Sequence, residues 1–228
     1  MSLQVTLAFL EQLSANNEKQ WFAEHRTQYE QAREAFENVI AEVIARFHAV
    51  DDLGSLAPKD AIHRIHRDVR FSKDKSPYNT AMSALIGPAG RKSLGRAYFI
   101  RVAPHNQSVA SAGAIALSGP ELQTVRQHLA EHAQPLRTIM AAAAFQCCFG
   151  TLRGAQVKGA PNGFPKDHPN IDLLRYKEFI AEHSFSDQDV LQDDFAAQVI
   201  AVCQVAKPLT LYFDALLGAR VKPEHPRH

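Results

Sequence analysis

The chain has 228 residues, 46% of them hydrophobic and 21% charged, with 25 Lys+Arg against 24 Asp+Glu for a formal charge of +1. That length can bury a full core without staples, and the composition is that of an ordinary globular protein rather than a disordered or fibrous one. The near-neutral total hides a split. Residues 1–57 carry four basic and nine acidic side chains (−5), residues 58–106 ten and three (+7), and residues 107–228 eleven and twelve (−1). The longest purely apolar stretch, 139–145, is far too short to cross a bilayer. The N-terminus has no charged segment followed by a long apolar one, so no signal peptide is expected. Three cysteines, two of them adjacent, make no disulfide framework and point to reduced thiols in a cytoplasm.

In chain order, Leu3, Leu7, Leu10 and Leu13 form a helical stripe that ends at Asn16-Asn17. Trp21-Phe22 sits at the corner before a long amphipathic helix striped by Tyr29, Ala32, Phe36, Val39, Ile40, Val43, Ile44 and Phe47. The acidic surplus lies on the other positions of that helix, Glu30, Glu34, Glu37 and Glu42, as a solvated outer face. A turn-rich link at 51–58 follows. Residues 80–86, 97–102 and 108–115 read as short strands bounded by turns, with a further possible strand near 62–67. Their connections are too short for parallel crossovers, so the sheet is antiparallel.

Ser118-Gly119-Pro120-Glu121 has the form of a capping box and opens a helix striped by Leu122, Val125 and Leu129. A helix over 135–148, a Pro/Gly loop over 160–169, a short helix near 171–176 and a possible strand at 177–183 come next. Two closing helices, about 194–205 and 208–217, are expected to part at Pro208. The sum is an α+β fold with N-terminal helices, a central antiparallel sheet and C-terminal helices. It reads as one domain over 1–219, with a flexible polar tail at 220–228.

The chemistry concentrates in the basic block. Arg64, Arg67 and Arg70 recur every third residue, and Lys73 and Lys75 continue the run. Asp60, Asp68 and Asp74 are interspersed and can hold arginines by charge-assisted bonds. Ser72, Asp74 and Pro77 make 71–78 a compact loop. Arginine's planar fork suits phosphate or carboxylate, and cations this dense repel one another unless counter-charges are supplied. The leading expectation is therefore a pocket for a phosphate- or carboxylate-bearing small molecule. A purely structural Arg–Asp network that fixes the loop is the alternative, and nucleic-acid binding is a third reading. Phe71, Tyr78 and Tyr98 could stack on bases, but the acidic flanks and the near-neutral total argue against nucleic acid as partner.

The stretch Arg64-Ile65-His66-Arg67-Asp68-Val69-Arg70-Phe71-Ser72-Lys73-Asp74-Lys75-Ser76-Pro77-Tyr78 resembles the signature of the family called domain of unknown function 2461. The resemblance spans nearly the whole chain. It includes Phe9-Leu10, Asn16-Asn17, Trp21-Phe22, Tyr29, Gly87-Pro88, Gly90-Arg91-Lys92, the run 157–164, His168-Pro169, Leu173-Leu174-Arg175 and Lys177-Glu178-Phe179. Asn79 stands where the family pattern usually has Lys, which removes one cation. The resemblance implies a cytoplasmic, bacterial-type α+β protein and no particular activity. It also singles out the first basic loop and the 158–164 loop together. If the two meet in space, Lys158, Lys166 and Lys177 face the 64–75 cluster, with Tyr78 and Phe164 as stacking or wall groups. Lys158 lying opposite Arg67 would refute that juxtaposition. The expected anion-binding set is Arg64, Arg67, Arg70, Lys73, Lys75, Tyr78 and Lys158, supported by Asp68, Asp74 and Phe164.

Other signals are weaker. Gly87-Pro88-Ala89-Gly90-Arg91-Lys92-Ser93 lacks the Gly before Lys of a phosphate-binding loop and reads as a strand-connecting turn. His63/His66 and His128/His132 have spacings compatible with a metal but no third ligand, so no metal site is assigned. No nucleophile elbow occurs, and Cys147-Cys148 ends an apolar helix, where buried thiols are common. The sequence names no cofactor and no oligomeric state.

Overall fold

The computed structural model describes residues 3–47, 50–51, 54–93 and 97–218. The expected tail at 220–228 lies outside them. Helix α1 (Gln4–Ala15) packs on α3 (Arg26–Phe47), with α2 (Lys19–Glu24) at the corner and a single turn, α4 (Pro58–Ala61), after the link. The stripes read from the sequence are the buried ones: Leu7, Leu10 and Leu13 face Ala32, Phe36 and Ile40 in one apolar cluster. Thr6 Oγ1, fully buried, donates to the Ala32 carbonyl at 2.8 Å and fixes the register of the two helices.

The sheet has the order β1 (Met82–Ile86), β2 (Tyr98–Val102), β3 (Ser108–Ala114) and β4 (Phe179–Phe185), antiparallel throughout. A 3-10 turn (Gly90–Lys92) lies between β1 and β2. Tyr98, Ile100 and Val102 point into the core, while Phe99 and Arg101 alternate to the other face, half-buried. Helices α5 (Gly119–Glu131), α6 (Gln134–Ala141), α7 (Ala143–Phe149) and α8 (Ile171–Leu174) fill the β3–β4 connection. The capping box at Ser118 and Glu121 forms as its spacing predicts. After β4 come the turn α9 (Asp187–Val190) and α10 (Phe195–Leu217).

Three expectations change. The 135–148 helix is two helices, because Ala142 adopts ψ 134° and turns the chain. An alanine-rich run carries no residue that signals such a break. The possible strand at 62–67 is only two isolated bridges, Ile62 to Ala84 and His66 to Tyr78. Finally, Pro208 does not separate two helices but sits inside α10. An interior proline costs about 3 kcal/mol, whereas burying Leu209 and Phe213 in the second half returns about 1.5–3 kcal/mol each. Packing on the sheet therefore outweighs the local rule. Among the described residues α10 alone is long and apolar enough to cross a membrane; here it lies against β3 and α3 with ten side chains buried.

Candidate functional site: a cationic cleft beside the first strand

The segment after α4 runs antiparallel along the free edge of β1. Ile62 bridges to Ala84, and the His63 amide donates to the Ser83 carbonyl at 2.9 Å. It then leaves the sheet beyond Met82 as a hairpin, closed by Arg67 N to Pro77 O at 2.9 Å and Asn79 N to Ile65 O at 2.8 Å. The hairpin base is anchored from the α1–α2 turn. Asn17 accepts from the Tyr78 amide at 3.1 Å and donates to the Tyr78 carbonyl at 2.9 Å, an amide acting like a strand partner. The Tyr78 ring is buried and stacks on Phe22 with centroids 4.0 Å apart. It belongs to the core and presents no face to a ligand.

Within the hairpin the arginines have partners. Arg67 Nη1 meets Asp74 Oδ2 at 2.5 Å and the Ser76 carbonyl at 3.1 Å. Asp74 also accepts from the Ser76 amide at 2.9 Å and hydroxyl at 2.6 Å. These bonds, the Ser76 ones foremost, hold its carboxyl far below the usual carboxylate range. Arg70 forks onto Asp68 through Nη2 at 2.7 Å and Nε at 3.0 Å, and that bond lowers the Asp68 pKa from 3.8 to about 2. Lys75 Nζ donates to the Val69 carbonyl at 3.0 Å. Asp68 and Asp74 are thus firm counter-charges at neutral pH and poor proton carriers.

Arg64 differs. It sits at the hairpin base and lines a cleft of about 630 Å³ together with Arg33, Lys59, Ile62, His63 and Arg91. Four separate segments converge there: α3 supplies Arg33, α4 Lys59, the β1-edge segment His63 and Arg64, and the 3-10 turn Arg91. Among the described residues no carboxylate forms an ion pair with Arg33, Lys59, Arg64 or Arg91. Arg91 Nη1 donates to the Lys59 carbonyl at 2.8 Å, which fixes the turn against α4. Gly90 makes that contact possible. Its φ is +52°, and a Cβ there would lie 2.5 Å from the Asp60 carbonyl oxygen. The cleft volume falls in the range of small-ligand sites.

The expected juxtaposition with the second loop fails. Arg153 and Ile180 exchange two backbone bonds along the free edge of β4, and Gln156 bridges to Tyr176, so that segment leaves the sheet beyond Phe179. The register puts Met82, Val102, Ser108 and Phe185 at one end of the sheet and Ile86, Tyr98, Ala114 and Phe179 at the other. The first basic hairpin and the 158–164 loop therefore project from diagonally opposite corners. Lys158 is exposed there, and Phe164 packs half-buried beside His168. The second loop is pinned separately, by Arg126 donating to the Leu174 and Tyr176 carbonyls and by Arg137 forking onto Asp172. Spacing along a chain gives no information on which sheet corner a loop leaves from. The residues missed from the expected set, Arg33, Lys59, His63 and Arg91, come from an acidic helix, from two turns and from the segment along the edge of β1. The one available signal was Gly90-Arg91, a glycine placing a cation next to the basic block.

His63 turns to Phe99 and His66 to Tyr78, whereas the His128 and His132 rings lie side by side with centroids 5.4 Å apart; among the described residues no three His, Cys, Asp or Glu groups gather around a metal position. Cys148 Sγ lies 3.7 Å from His183 Nδ1, but that nitrogen is 3.0 Å from the Cys148 carbonyl. Burial pushes the Cys148 thiol up, and the fully buried Cys203 further still, so neither is a poised thiolate; Cys147 is exposed.

No curated protein and no solved structure matches the chain. A family model does, over residues 5–212, taking in the hairpin, the cleft and the second loop. The chain belongs to the family described as Conserved hypothetical protein (DUF2461).

Proposed function

We propose that the protein binds a phosphate- or carboxylate-bearing ligand in the cleft formed by Arg33, Lys59, His63, Arg64 and Arg91. One observation carries this reading: four cations converge from four segments and, among the described residues, form no ion pair with a carboxylate, whereas the hairpin next to them matches Arg67 and Arg70 with aspartates. Guanidinium groups at a cleft wall accept a bidentate oxyanion at little cost in ordering, since Arg91 is already held by the Lys59 carbonyl. The smallest ligand of this kind is a single small molecule lodged in the cleft. The Arg–Asp network of residues 67–76 has the structural role of the alternative reading. Free thiols at Cys147, Cys148 and Cys203 fit a reducing cytoplasm.

Thermal-shift titrations with inorganic phosphate, adenosine monophosphate and succinate test the proposal. At least one anion should raise the melting temperature saturably by several degrees. The shift should vanish in Arg64→Ala and Arg91→Ala and survive in Arg67→Ala. A flat response to all three anions overturns the reading.

A further inference from the structure

At the end of the hairpin, Val69 to Ser72 form a turn closed by Ser72 N to Val69 O at 3.2 Å. Phe71 occupies its third position and is 96% exposed. Few large apolar side chains are so fully presented to solvent without a partner surface. The turn is not a loose one. The Asp68 carboxylate caps the Arg70 amide at 3.3 Å, Lys75 holds the Val69 carbonyl, and Arg67 with Asp74 locks the stem. The ring is thus held outward by a braced scaffold. It wears a cationic collar: the Arg70 guanidinium carbon lies 6.0 Å from the ring centroid, and Lys73 has no hydrogen bond or ion pair with any described residue.

We propose that the anionic ligand is a single-stranded oligonucleotide, with phosphates in the cleft and a base stacked on Phe71. This rests on the cleft being an anion site and names the class of ligand. The five residues from Arg64 to Val69, with a bend at Ile65, span at most roughly 16 Å at about 3.3 Å each, so a strand at about 3.4 Å per nucleotide joins the cleft to the ring with no more than about five nucleotides. Cations beside an exposed aromatic ring are the usual arrangement for sequence-tolerant single-strand binding, because every base offers a π face. Of the acidic residues on α3, Glu30 is paired with Arg26, and Arg33 is the cation that this helix brings to the cleft. An anionic membrane is the other surface an aromatic tip in a basic collar can meet, but one inserted ring is a single weak anchor where stable attachment takes two.

Fluorescence anisotropy with a labelled oligothymidylate of about twelve nucleotides tests this, the length chosen to exceed the estimated span. Binding should weaken with salt at a log–log slope of about −3 for four phosphates. Phe71→Ala, which removes an exposed ring and its contact with Arg70 but nothing from the core, should weaken it about tenfold, and Phe71→Trp should restore it. Arg64→Ala with Arg91→Ala should abolish it. Dithymidylate and inorganic phosphate should compete only poorly. If they compete as well as the long strand, or if Phe71→Ala binds like wild type, the oligonucleotide is overturned while the cleft remains an anion site. If neither the strand nor phosphate binds, both proposals fall. Co-sedimentation with phosphatidylserine–phosphatidylcholine vesicles that is lost in Phe71→Ala, without oligonucleotide binding, would assign the tip to a lipid surface instead.

Discussion

The hairpin and the cleft are both rich in cations and share Arg64 as their border, yet they have opposite electrostatic characters. In the hairpin each guanidinium is met within the same fifteen residues, Arg67 by Asp74 and Arg70 by Asp68. In the cleft the cations arrive from distant parts of the chain, and among the described residues no carboxylate forms an ion pair with them. Density of charge along a sequence therefore does not by itself mark a binding site. What matters is whether the counter-charge is supplied locally, and a basic run that carries its own aspartates is already neutralising itself.

Four substitutions and one change of pH separate the two regions. The largest effect is expected at Tyr78, since the ring is buried on Phe22 at the hairpin base. Tyr78→Ala should cost about 3–5 kcal/mol in urea unfolding and free the hairpin. Gly90→Ala should come next, at about 1–3 kcal/mol, because a positive φ and a backbone carbonyl both oppose the new Cβ. It should also blunt the phosphate response by displacing Arg91; an unchanged response would detach the 3-10 turn from the cleft. Acid should then open the hairpin alone. The folded pKa of Asp68 is depressed to about 2 from 3.8, so its contribution is complete above pH 4 and lost as pH falls through about 2. Asp74 is depressed too, so the bonds it accepts are lost in the same direction. Exchange of the Ser76 amide proton should accelerate in that window before the core melts. The smallest effects on stability belong to the exposed Arg64→Ala, within about 0.5 kcal/mol, and to Arg67→Ala, no more than about 1 kcal/mol. Their ligand responses should differ sharply, lost in the first and kept in the second. Equal responses would erase the distinction between cleft and hairpin.

Much of the fold was legible because its signals are local. The α1 and α3 stripes, the three short strands bounded by turns, and the Ser118–Glu121 box each state their structure within a few residues. The failures lie where a distant partner decides. Pro208 remains helical because the sheet holds both halves of α10, and the 62–67 segment is reduced to bridges because the chain needs only to cover the edge of β1. The site was half legible for the same reason. The loop's network, Arg67 with Asp74 and Arg70 with Asp68, is written in adjacent residues. Arg33 is not, since nothing in an acidic helix says that one of its arginines turns toward a cleft built thirty residues later.

The distribution of the three thiols has a use of its own. Cys147 is exposed, Cys148 partly covered and Cys203 sealed inside α10. A maleimide reagent should therefore modify the native protein quickly at one position and slowly at a second, and reach the third only when α10 leaves the sheet. Counting adducts by mass spectrometry turns the wild-type chain into its own folding gauge. Cys147 lies on α7, which packs against β4 at the far edge of the sheet from the cleft, so a dye placed there follows stability without touching the ligand.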